Sequence, residues 1–328
     1  MSRKPGPLAH WCYALLLLAP GLTLAADRPA YPSKPIRFIV TFAAGGGTDI
    51  FARAIAQKFT ETWGQPVIVD NRAGGNGNIG TDIVAKAPAD GYTILLTTNA
   101  TIVINPNLTR LPYDPVRDFA PVSQVATLPF VLVAHPSLPA RSVSELIALA
   151  KAKPGQLNYG SSGGGGGAHL SGEMMKTMAG INMTHVPYKG AAPALVALLS
   201  GEFQFMFVSI LTVTPLIESG KVRALGVTSS KRSPSLPNVP AVAETPGLAG
   251  FETDLWYGML APARTDGRIV DQLYRETRRV LALQDFKNRF EPTGTVMTGT
   301  SPQDFASIIK SDLVKWAKVI QSSGAKMD

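Results

Sequence analysis

The chain has 328 residues, 45% of them hydrophobic, which is enough for two domains of ordinary size with buried cores. Its formal net charge is +8, but the Lys and Arg residues are scattered without interleaved aromatic residues, which argues against a nucleic-acid partner and favours small anions. Because Cys12 is the only cysteine, the composition also excludes a disulfide within the chain.

The first 26 residues have the layout of a secretory signal peptide. Arg3 and Lys4 precede an apolar run over residues 11–18, and small residues up to Ala26 offer a cleavage site. The apolar run is about half of the roughly 20 residues that a membrane span needs, so cleavage is favoured over a permanent anchor. Export without disulfides predicts a periplasmic protein.

Alternating strand and helix patterns follow the signal peptide. Apolar, β-branched runs predict strands at 36–42, 67–69 and 92–97, and apolar residues at helical spacing predict helices at 50–59 and 79–86. This alternation is typical of a parallel sheet with helices on both faces.

A second series of the same kind begins at residue 130. It predicts strands at 130–134, 157–159, 184–186, 203–208 and 222–228, helices at 169–178 and 194–199, a helix that starts with a capping box at Ser142, and a short helix that ends at Gly220. Residues 229–250 are rich in Ser, Pro and Gly, which indicates a crossing segment.

Two long helices close the chain, one at 269–283 and one that opens with Ser301 and Pro302. Helices of this length need a surface on which to pack, and we expect them to return to the first series of strands. The sequence therefore predicts a discontinuous domain of residues 27–128 and 250–328, an inserted domain of residues 129–249, and a ligand cleft between the two.

A glycine-rich loop, residues 43–49, joins the first predicted strand to its helix. Exposed backbone N–H groups and the positive helix end meet there, so the loop suits a carboxylate or a phosphate. A dinucleotide fingerprint would need glycine in place of Ile50, and the Gly-Lys-Ser/Thr run of a phosphate loop is absent from the sequence. Asp49 is either the helix N-cap or a ligand contact. Capping is favoured, because a carboxylate that faced the ligand would repel an anion. Thr48 and the glycine amides would then face the anion.

A second glycine-rich loop, residues 158–169, repeats this arrangement in the other predicted domain. A flexible connector is the alternative, but a linker is not expected between a strand and its own packed helix. Two such loops in two domains predict a cleft that closes on a small anion from both sides.

The second loop also matches the esterase pattern G-x-S-x-G, with Ser162 in the nucleophile position. A Ser162 nucleophile would need His169 or His185 as its base, and Glu173 is the only acid between them, which departs from the usual order. An esterase is therefore the less favoured alternative. We expect His169 to be neutral beside a helix start, either at the cleft or as a surface or capping residue. The histidine spacing predicts no metal site, and no cofactor is expected.

Four segments of the chain resemble one known family. They are "VTFAAGGGTDIFAR", "VDNRAGGNGNIGTDIVAKAPADGYT", "LNYGSSGGGGGAHLSGE" and "VPYKGAAPALVALLSGEFQFMF". In this order they resemble the Bordetella uptake gene (Bug) family, the substrate-binding proteins of tripartite tricarboxylate transporters. The resemblance covers nearly all of the chain after the signal peptide. It implies a non-catalytic, two-domain periplasmic binding protein of the Venus flytrap type (type II-like), an α/β fold with mostly parallel sheets flanked by helices.

The same resemblance implies which residues hold the ligand. Family members hold a carboxyl group between the two glycine loops, mostly through backbone groups and ordered water. The first loop corresponds here to Phe42, Ala44, Gly45, Gly46, Gly47, Thr48 and Asp49, and the second to Ser161, Ser162, Gly163, Gly167 and His169. The rest of the ligand would be sorted by Thr98, Asn99, Val208 and Ser209.

Two departures from the family pattern bear on the ligand. Gly164 and Gly166 replace an asparagine and a threonine that are usual in the second loop, and Val208 stands where an aspartate is common. Without that aspartate an amino group lacks a natural partner. We therefore expect an acid with an uncharged or aromatic tail, or a dicarboxylate, rather than an amino acid.

The implied role is capture of a small organic carboxylate for delivery to membrane transporter subunits. A solute sensor that reports to a membrane signalling partner would use the same cleft and stays open as the alternative. The expected mechanism is closure of one domain on the other about a hinge near residues 125–130 and 250–258, for which a monomer is sufficient.

Overall fold

Strands and helices alternate along most of the chain. This computed structural model describes residues 1–2 and 31–323, so residues 3–26 of the predicted signal peptide lie outside the described residues. The strands are β1 (Ile36–Val40), β2 (Val67–Asn71), β3 (Thr93–Thr98), β4 (Phe119–Ala134), β5 (Asn158–Ser161), β6 (Thr184–Pro187), β7 (Phe205–Ser209), β8 (Arg223–Val227), β9 (Asp254–Pro262) and β10 (Val296–Met297).

Apart from α8, which was not predicted, the helices lie where the helical spacing predicts them. They are α1 (Gly47–Trp63), α2 (Asn78–Ala85), α3 (Val143–Ala152), α4 (Gly167–Ala179), α5 (Ala191–Ser200), α6 (Ile210–Glu218), α7 (Gly267–Ala282), α8 (Gln284–Phe290) and α9 (Pro302–Ser323). The predicted caps of two of them are confirmed, because the Oγ atoms of Ser142 and Ser301 accept hydrogen bonds from the N–H groups three residues later, each at 3.1 Å. A short π-helix at Ala100–Ile104 follows β3.

One mixed sheet runs through the molecule in the order β2-β1-β3-β9-β4-β7-β5-β6, with β8 and β10 also paired to β4. Its first half consists of β1, β2, β3, β9, β10 and the start of β4; its second half consists of β5 to β8 and the end of β4. The strand β4 changes partners between Pro129, which faces Asp254 of β9, and Phe130, which faces Ser209 of β7.

The α/β fold with flanking helices is confirmed, but the sheet is less parallel than expected. The pairs β1–β2, β1–β3, β5–β6 and β5–β7 are parallel, as alternation with helices requires, whereas β4 and β9 run antiparallel to all their neighbours. These two strands carry the chain between the halves of the sheet. The sequence interpretation missed β9 and the first part of β4, and placed a hinge near residues 125–130 and 250–258 instead.

The C-terminal helix α9 packs on the first half of the sheet. Its residues Phe305, Ile309 and Trp316 belong to a buried cluster with Trp256 of β9. The rings of Trp256 and Phe305 meet edge to face with centroids 5.3 Å apart, and Trp256 Nε1 donates a hydrogen bond to Asp312 Oδ2 at 2.9 Å. Across the residues that the structure describes, none of the helices is long and apolar enough to span a membrane.

Candidate functional site

A cavity lies at the carboxyl ends of β1, β3, β5 and β7, where the two halves of the sheet face each other. Open α/β sheets bind ligands at this edge. The cavity, here called the inner cavity, encloses about 540 Å³ of empty space, including the part that is open to solvent. It is lined by Phe42, Gly46, Gly47, Thr48, Thr98, Asn99, Ala100, Phe130, Ser162, Gly166, Gly167, Ala168, Ala191, Met206, Phe207, Val208, Ser209, Leu255 and Tyr257.

The first glycine loop delivers the amino end of α1 to the inner cavity. Gly45 has a left-handed φ of 82°, which turns the chain so that the helix starts at Gly47 with Gly46 as its N-cap. The favoured prediction that Asp49 is the N-cap is therefore wrong. Asp49 is the third residue of the helix. Its Oδ2 accepts hydrogen bonds from the Gly45 N–H at 2.9 Å and from Arg53 Nε at 3.0 Å, so this buried carboxylate holds the loop and does not line the cavity.

The second glycine loop has the same construction. Gly165 has a φ of 80°, Gly166 is the N-cap and α4 starts at Gly167. His169, the third residue of α4, accepts a hydrogen bond at Nδ1 from the Gly165 N–H at 2.8 Å. Because Nδ1 is an acceptor, the imidazole is neutral in this arrangement. His169 is buried beneath the loop, so of its two expected positions the structure shows the one that holds the helix start.

A third helix, α6, also begins at the inner cavity, with Ser209 at the end of β7 as its N-cap. In the described residues, the N-cap residues of α1, α4 and α6 make no side-chain capping hydrogen bond. Their first N–H groups are consequently free to bind another acceptor. None of the described residues that line the cavity carries a charge, so the positive ends of three helix dipoles are not neutralised by a lining carboxylate.

Hydroxyl groups surround the start of α1. Ser209 Oγ and Tyr257 Oη are 3.5 Å apart, and a methyl group built on Gly47 would lie 2.3 Å from Tyr257 Oη and 3.0 Å from Thr212 Oγ1. Burial raises the pKa of Tyr257 to about 12, against the opposing hydrogen bonds of Ser209 and Thr48. Tyr257 is therefore a neutral hydroxyl that can donate to an anion.

The remaining wall of the inner cavity is apolar. Phe42, Phe130, Met206, Val208 and Leu255 line it and are all buried. The cavity thus combines an end rich in N–H and O–H donors with a side that suits carbon chains or rings.

A polar cluster supports the second glycine loop from below. Tyr159 Oη and Lys176 Nζ donate to Glu173 Oε1 at 2.7 and 2.8 Å, and His169 Nε2 lies 3.7 Å from the same oxygen. Burial alone would raise the pKa of Glu173, but its contacts with His169, Lys176 and Tyr159 lower it to about 2. The rings of His169 and His185 stack with centroids 3.9 Å apart. The cluster therefore fixes the start of α4 through an ionised glutamate.

Most of the residues predicted for the site meet at this place. The inner cavity is lined by Phe42, Gly46, Gly47, Thr48, Thr98, Asn99, Ser162, Gly167, Val208 and Ser209, and Gly163 lines an adjoining chamber. The predicted residues Ala44, Gly45, Asp49, Ser161 and His169 line neither space. Gly45, Asp49 and His169 instead shape the loops, and Ser161 is fully buried.

Several lining residues were missed by the sequence analysis. Phe130 comes from β4, Leu255 and Tyr257 come from β9, and Ala191 begins α5. The apolar run from Leu255 to Pro262 is a strand signal that could have found β9 and, with it, Tyr257.

The esterase arrangement is not formed around Ser162. His185 Nε2 lies 2.7 Å from the Oγ of Ser161, and His169 is held by Gly165. Within the described part of the chain, Ser162 has no hydrogen bond to a histidine, and no group of three His, Cys, Asp or Glu side chains is placed to hold a metal ion.

Comparison with known proteins agrees with this geometry. Residues 51–325 match the family model of the tripartite tricarboxylate transporter family receptor. Protein BugT of Bordetella pertussis is 36% identical over 315 residues, which cover 95% of this chain and 96% of BugT.

Two solved structures share the fold closely. The structure of R. palustris Rpa4515 with adipate has a TM-score of 0.87 at 38% identity and covers 90% of this chain and 99% of that protein. The structure of the periplasmic binding protein BugD has a TM-score of 0.87 at 35% identity and covers 91% of this chain and 100% of BugD. This chain therefore belongs to the tripartite tricarboxylate transporter receptor family and has the fold of a periplasmic binding protein.

Proposed function

We propose that the protein captures a small organic carboxylate in the inner cavity and delivers it to a membrane transporter of the tripartite tricarboxylate type. The observation that carries this proposal is the convergence of the amino ends of α1, α4 and α6 on a cavity without a charged lining residue. A carboxylate there would accept hydrogen bonds from the free N–H groups and would be attracted by three helix dipoles.

The expected affinity follows from these contacts. A helix terminus in a partly buried geometry contributes about 1–2 kcal/mol to an anion. Three termini would then supply roughly half of the about 8 kcal/mol that corresponds to micromolar binding. Contacts between the apolar wall and the carbon skeleton of the ligand would supply the rest.

The apolar wall also bears on the kind of acid. Val208 and Leu255 offer no partner to an ammonium group, and none of the described residues that line the cavity is acidic. An acid with an uncharged or aromatic tail, or a dicarboxylate, fits this wall better than an amino acid does. The adipate bound in Rpa4515, at 38% identity, supports a diacid.

Binding would close residues 129–249 over residues 27–128 and 250–328, with the inner cavity as the cleft between two domains. The exchange of β4 partners between Pro129 and Phe130 supports a hinge near this point, and so does the start of β9 at Asp254. A monomer exported to the periplasm, with residues 1–26 removed, would carry out this cycle without catalysis.

The proposal is tested by thermal unfolding of protein purified from the periplasm of an expression host and refolded to remove any bound acid. The panel contains acetate, succinate, adipate, malate, citrate, benzoate and glutamate, with adipamide as the uncharged match for adipate. We expect acids with apolar or diacid skeletons to raise the unfolding midpoint, by about 2.7 kcal/mol of stability at a hundredfold excess over the dissociation constant, and adipamide to have no effect.

An unchanged midpoint with every acid would refute carboxylate capture. Equal shifts with adipate and adipamide would also count against it, because the helix ends would then have no role. A second experiment distinguishes delivery from sensing by measuring uptake of the bound acid in cells that lack the protein. Loss of uptake supports delivery, and normal uptake indicates a sensor.

A further inference from the structure

Asn76 has a positive φ, a backbone conformation that is otherwise adopted by glycines in this turn. Gly74, Gly75, Asn76 and Gly77 have φ values of 122°, 56°, 51° and 86°, and only the third of these four residues carries a side chain. Asn76 and Arg264 are the two non-glycine residues with positive φ in the described part of the chain. Because glycine adopts this conformation at lower cost, an asparagine here indicates that its side chain has a role.

Hydrogen bonds to Asn105, in the turn that follows the π-helix, orient the Asn76 side chain. Its Nδ2 donates to Asn105 Oδ1 at 2.7 Å. Asn105 Nδ2 donates in return to the backbone oxygen of Asn76 at 3.2 Å and to Asn78 Oδ1 at 2.7 Å. The direction of the carboxamide is therefore fixed: Nδ2 points to Asn105, and Oδ1 points away from it.

The oxygen of this carboxamide meets the second glycine loop on the opposite side of the cleft. A methyl group built on Gly163 would lie 2.5 Å from Asn76 Oδ1, and one built on Gly166 would lie 3.4 Å from it. A methyl group on Gly165 would lie 2.6 Å from Leu108 Cδ1. The loop thus approaches Asn76 and Leu108 more closely than side chains at Gly163 and Gly165 would allow, whereas a methyl group at Gly166 would be in ordinary contact.

Asn76 also stands beside the ligand space. It lines an outer chamber that shares Phe42 and Ser162 with the inner cavity. Its Oδ1 is buried and has no hydrogen-bond partner among the described residues, so Asn76 touches the loop by packing and not by a hydrogen bond. The residue that follows this contact in the chain is Gly167, the first residue of α4.

We propose that Asn76 is a positioning residue that bridges the cleft and holds the second glycine loop in its binding geometry. By restraining Gly163 to Gly166, it keeps the amino end of α4 directed at the inner cavity. Loss of the bridge frees the loop and speeds release of the ligand. This inference rests on the proposed function in one respect, since the loop is taken to form one wall of the carboxylate site.

The test compares Asn76→Gly with Arg264→Gly, using the protein from the periplasm without ligand. Both changes remove positive-φ strain, but only the first removes the bridge. We expect backbone amide hydrogen exchange over residues 161–168 to become about fivefold faster in Asn76→Gly, because the loop loses its packing contact, and to stay unchanged in Arg264→Gly. The unfolding midpoint of Asn76→Gly should change little, because relief of strain offsets the lost bond to Asn105.

A second measurement follows the dissociation rate of adipate, which we expect to rise about fivefold in Asn76→Gly alone. Wild-type exchange rates in the loop of Asn76→Gly would overturn the proposal, as would equal acceleration in both variants. If adipate and the rest of the acid panel fail to bind the wild type, the proposed function fails, and the exchange result still decides the role of Asn76.

Discussion

Asp49 and His169 occupy the same position in two different helices. Each is the third residue of its helix, and each accepts a hydrogen bond from the N–H of the glycine four residues earlier, at 2.9 Å for Asp49 and 2.8 Å for His169. The two glycines, Gly45 and Gly165, have φ values of 82° and 80°. An anionic acceptor in one loop and a neutral one in the other thus give the same turn, so the turn depends on the acceptor and not on its charge.

The first prediction concerns this acceptor in the first loop. Asp49→Ala leaves the Gly45 N–H without its partner, and we expect a loss of about 1–2 kcal/mol in the free energy of unfolding. Asp49→Asn keeps an oxygen acceptor and should retain most of that stability. Urea denaturation of both variants checks this. Equal losses in the two would show that the charge of Asp49, and not its acceptor, stabilises the loop.

The second prediction concerns the space at the start of α1. A methyl group at Gly47 would overlap Tyr257 Oη, so Gly47→Ala should cost about 1–3 kcal/mol of stability and weaken carboxylate binding at least tenfold. Gly267→Ala is the matched control, since Gly267 also begins a helix, α7, and has open space around its Cα. Calorimetric titration of both variants with adipate measures the difference. Binding by Gly47→Ala that equals that of the control would show that this helix end does not contact the ligand.

The third prediction concerns pH and Glu173. Because the pKa of Glu173 is about 2 in the folded protein and 4.5 without its partners, its contribution is complete above pH 4.5 and disappears as the pH falls toward 2. At pH 7, Glu173→Gln should be less stable than the wild type by about 1–2 kcal/mol, an amount reduced by the partial exposure of Lys176 and Glu173 to solvent.

This difference should vanish near pH 2, as measured by thermal unfolding across the pH range. Glu218→Gln, at an exposed position near the end of α6, is the control and should follow the wild-type curve throughout. A gap between wild type and Glu173→Gln that persists undiminished at pH 2 would contradict an ionic role for Glu173.

The fourth prediction concerns ligand selection by Val208, which is 2% exposed and lines the inner cavity. Val208→Asp places a carboxylate against the ligand, so adipate should bind at least tenfold more weakly and glutamate, which carries an ammonium group, should gain affinity. Val208→Asn has a similar shape without the charge and should not gain glutamate binding. The acid panel, repeated on both variants by thermal unfolding, distinguishes them. A gain with asparagine as large as with aspartate would attribute selection to polarity instead of charge.

Local signals explain what the sequence predicted correctly. The β-branched run before Thr41, the glycines of both loops and the serines at 142 and 301 each act within a few residues, and the corresponding strands, turns and helix starts are present. The direction of strands β4 and β9 depends on contacts between distant parts of the chain. Prolines at 121 and 129 also disguised the strand character of β4, and the sequence interpretation placed a hinge near residues 125–130 instead.

The same difference between local signals and distant contacts explains which parts of the candidate site were predicted. Glycine loops that precede helices are visible in the sequence, and the structure brings both to one cavity. Whether a side chain in the first helical turn faces the cavity or folds under the loop depends on its hydrogen bonds, which is why Asp49 and His169 were placed with the ligand contacts. Phe130 and Tyr257 lie on apolar runs that indicate strands, but their place at the cavity depends on how β4 and β9 pair with distant strands, which those runs do not show.

The shared strand β4 has a consequence for how the protein unfolds. Its 16 residues pair with β9 as far as Pro129 and with β7 and β8 from Phe130 onward, so each half of the sheet takes a middle strand from one uninterrupted piece of backbone. Neither half can lose its order without withdrawing a strand from the other. We therefore expect the two halves to unfold together in a single cooperative transition.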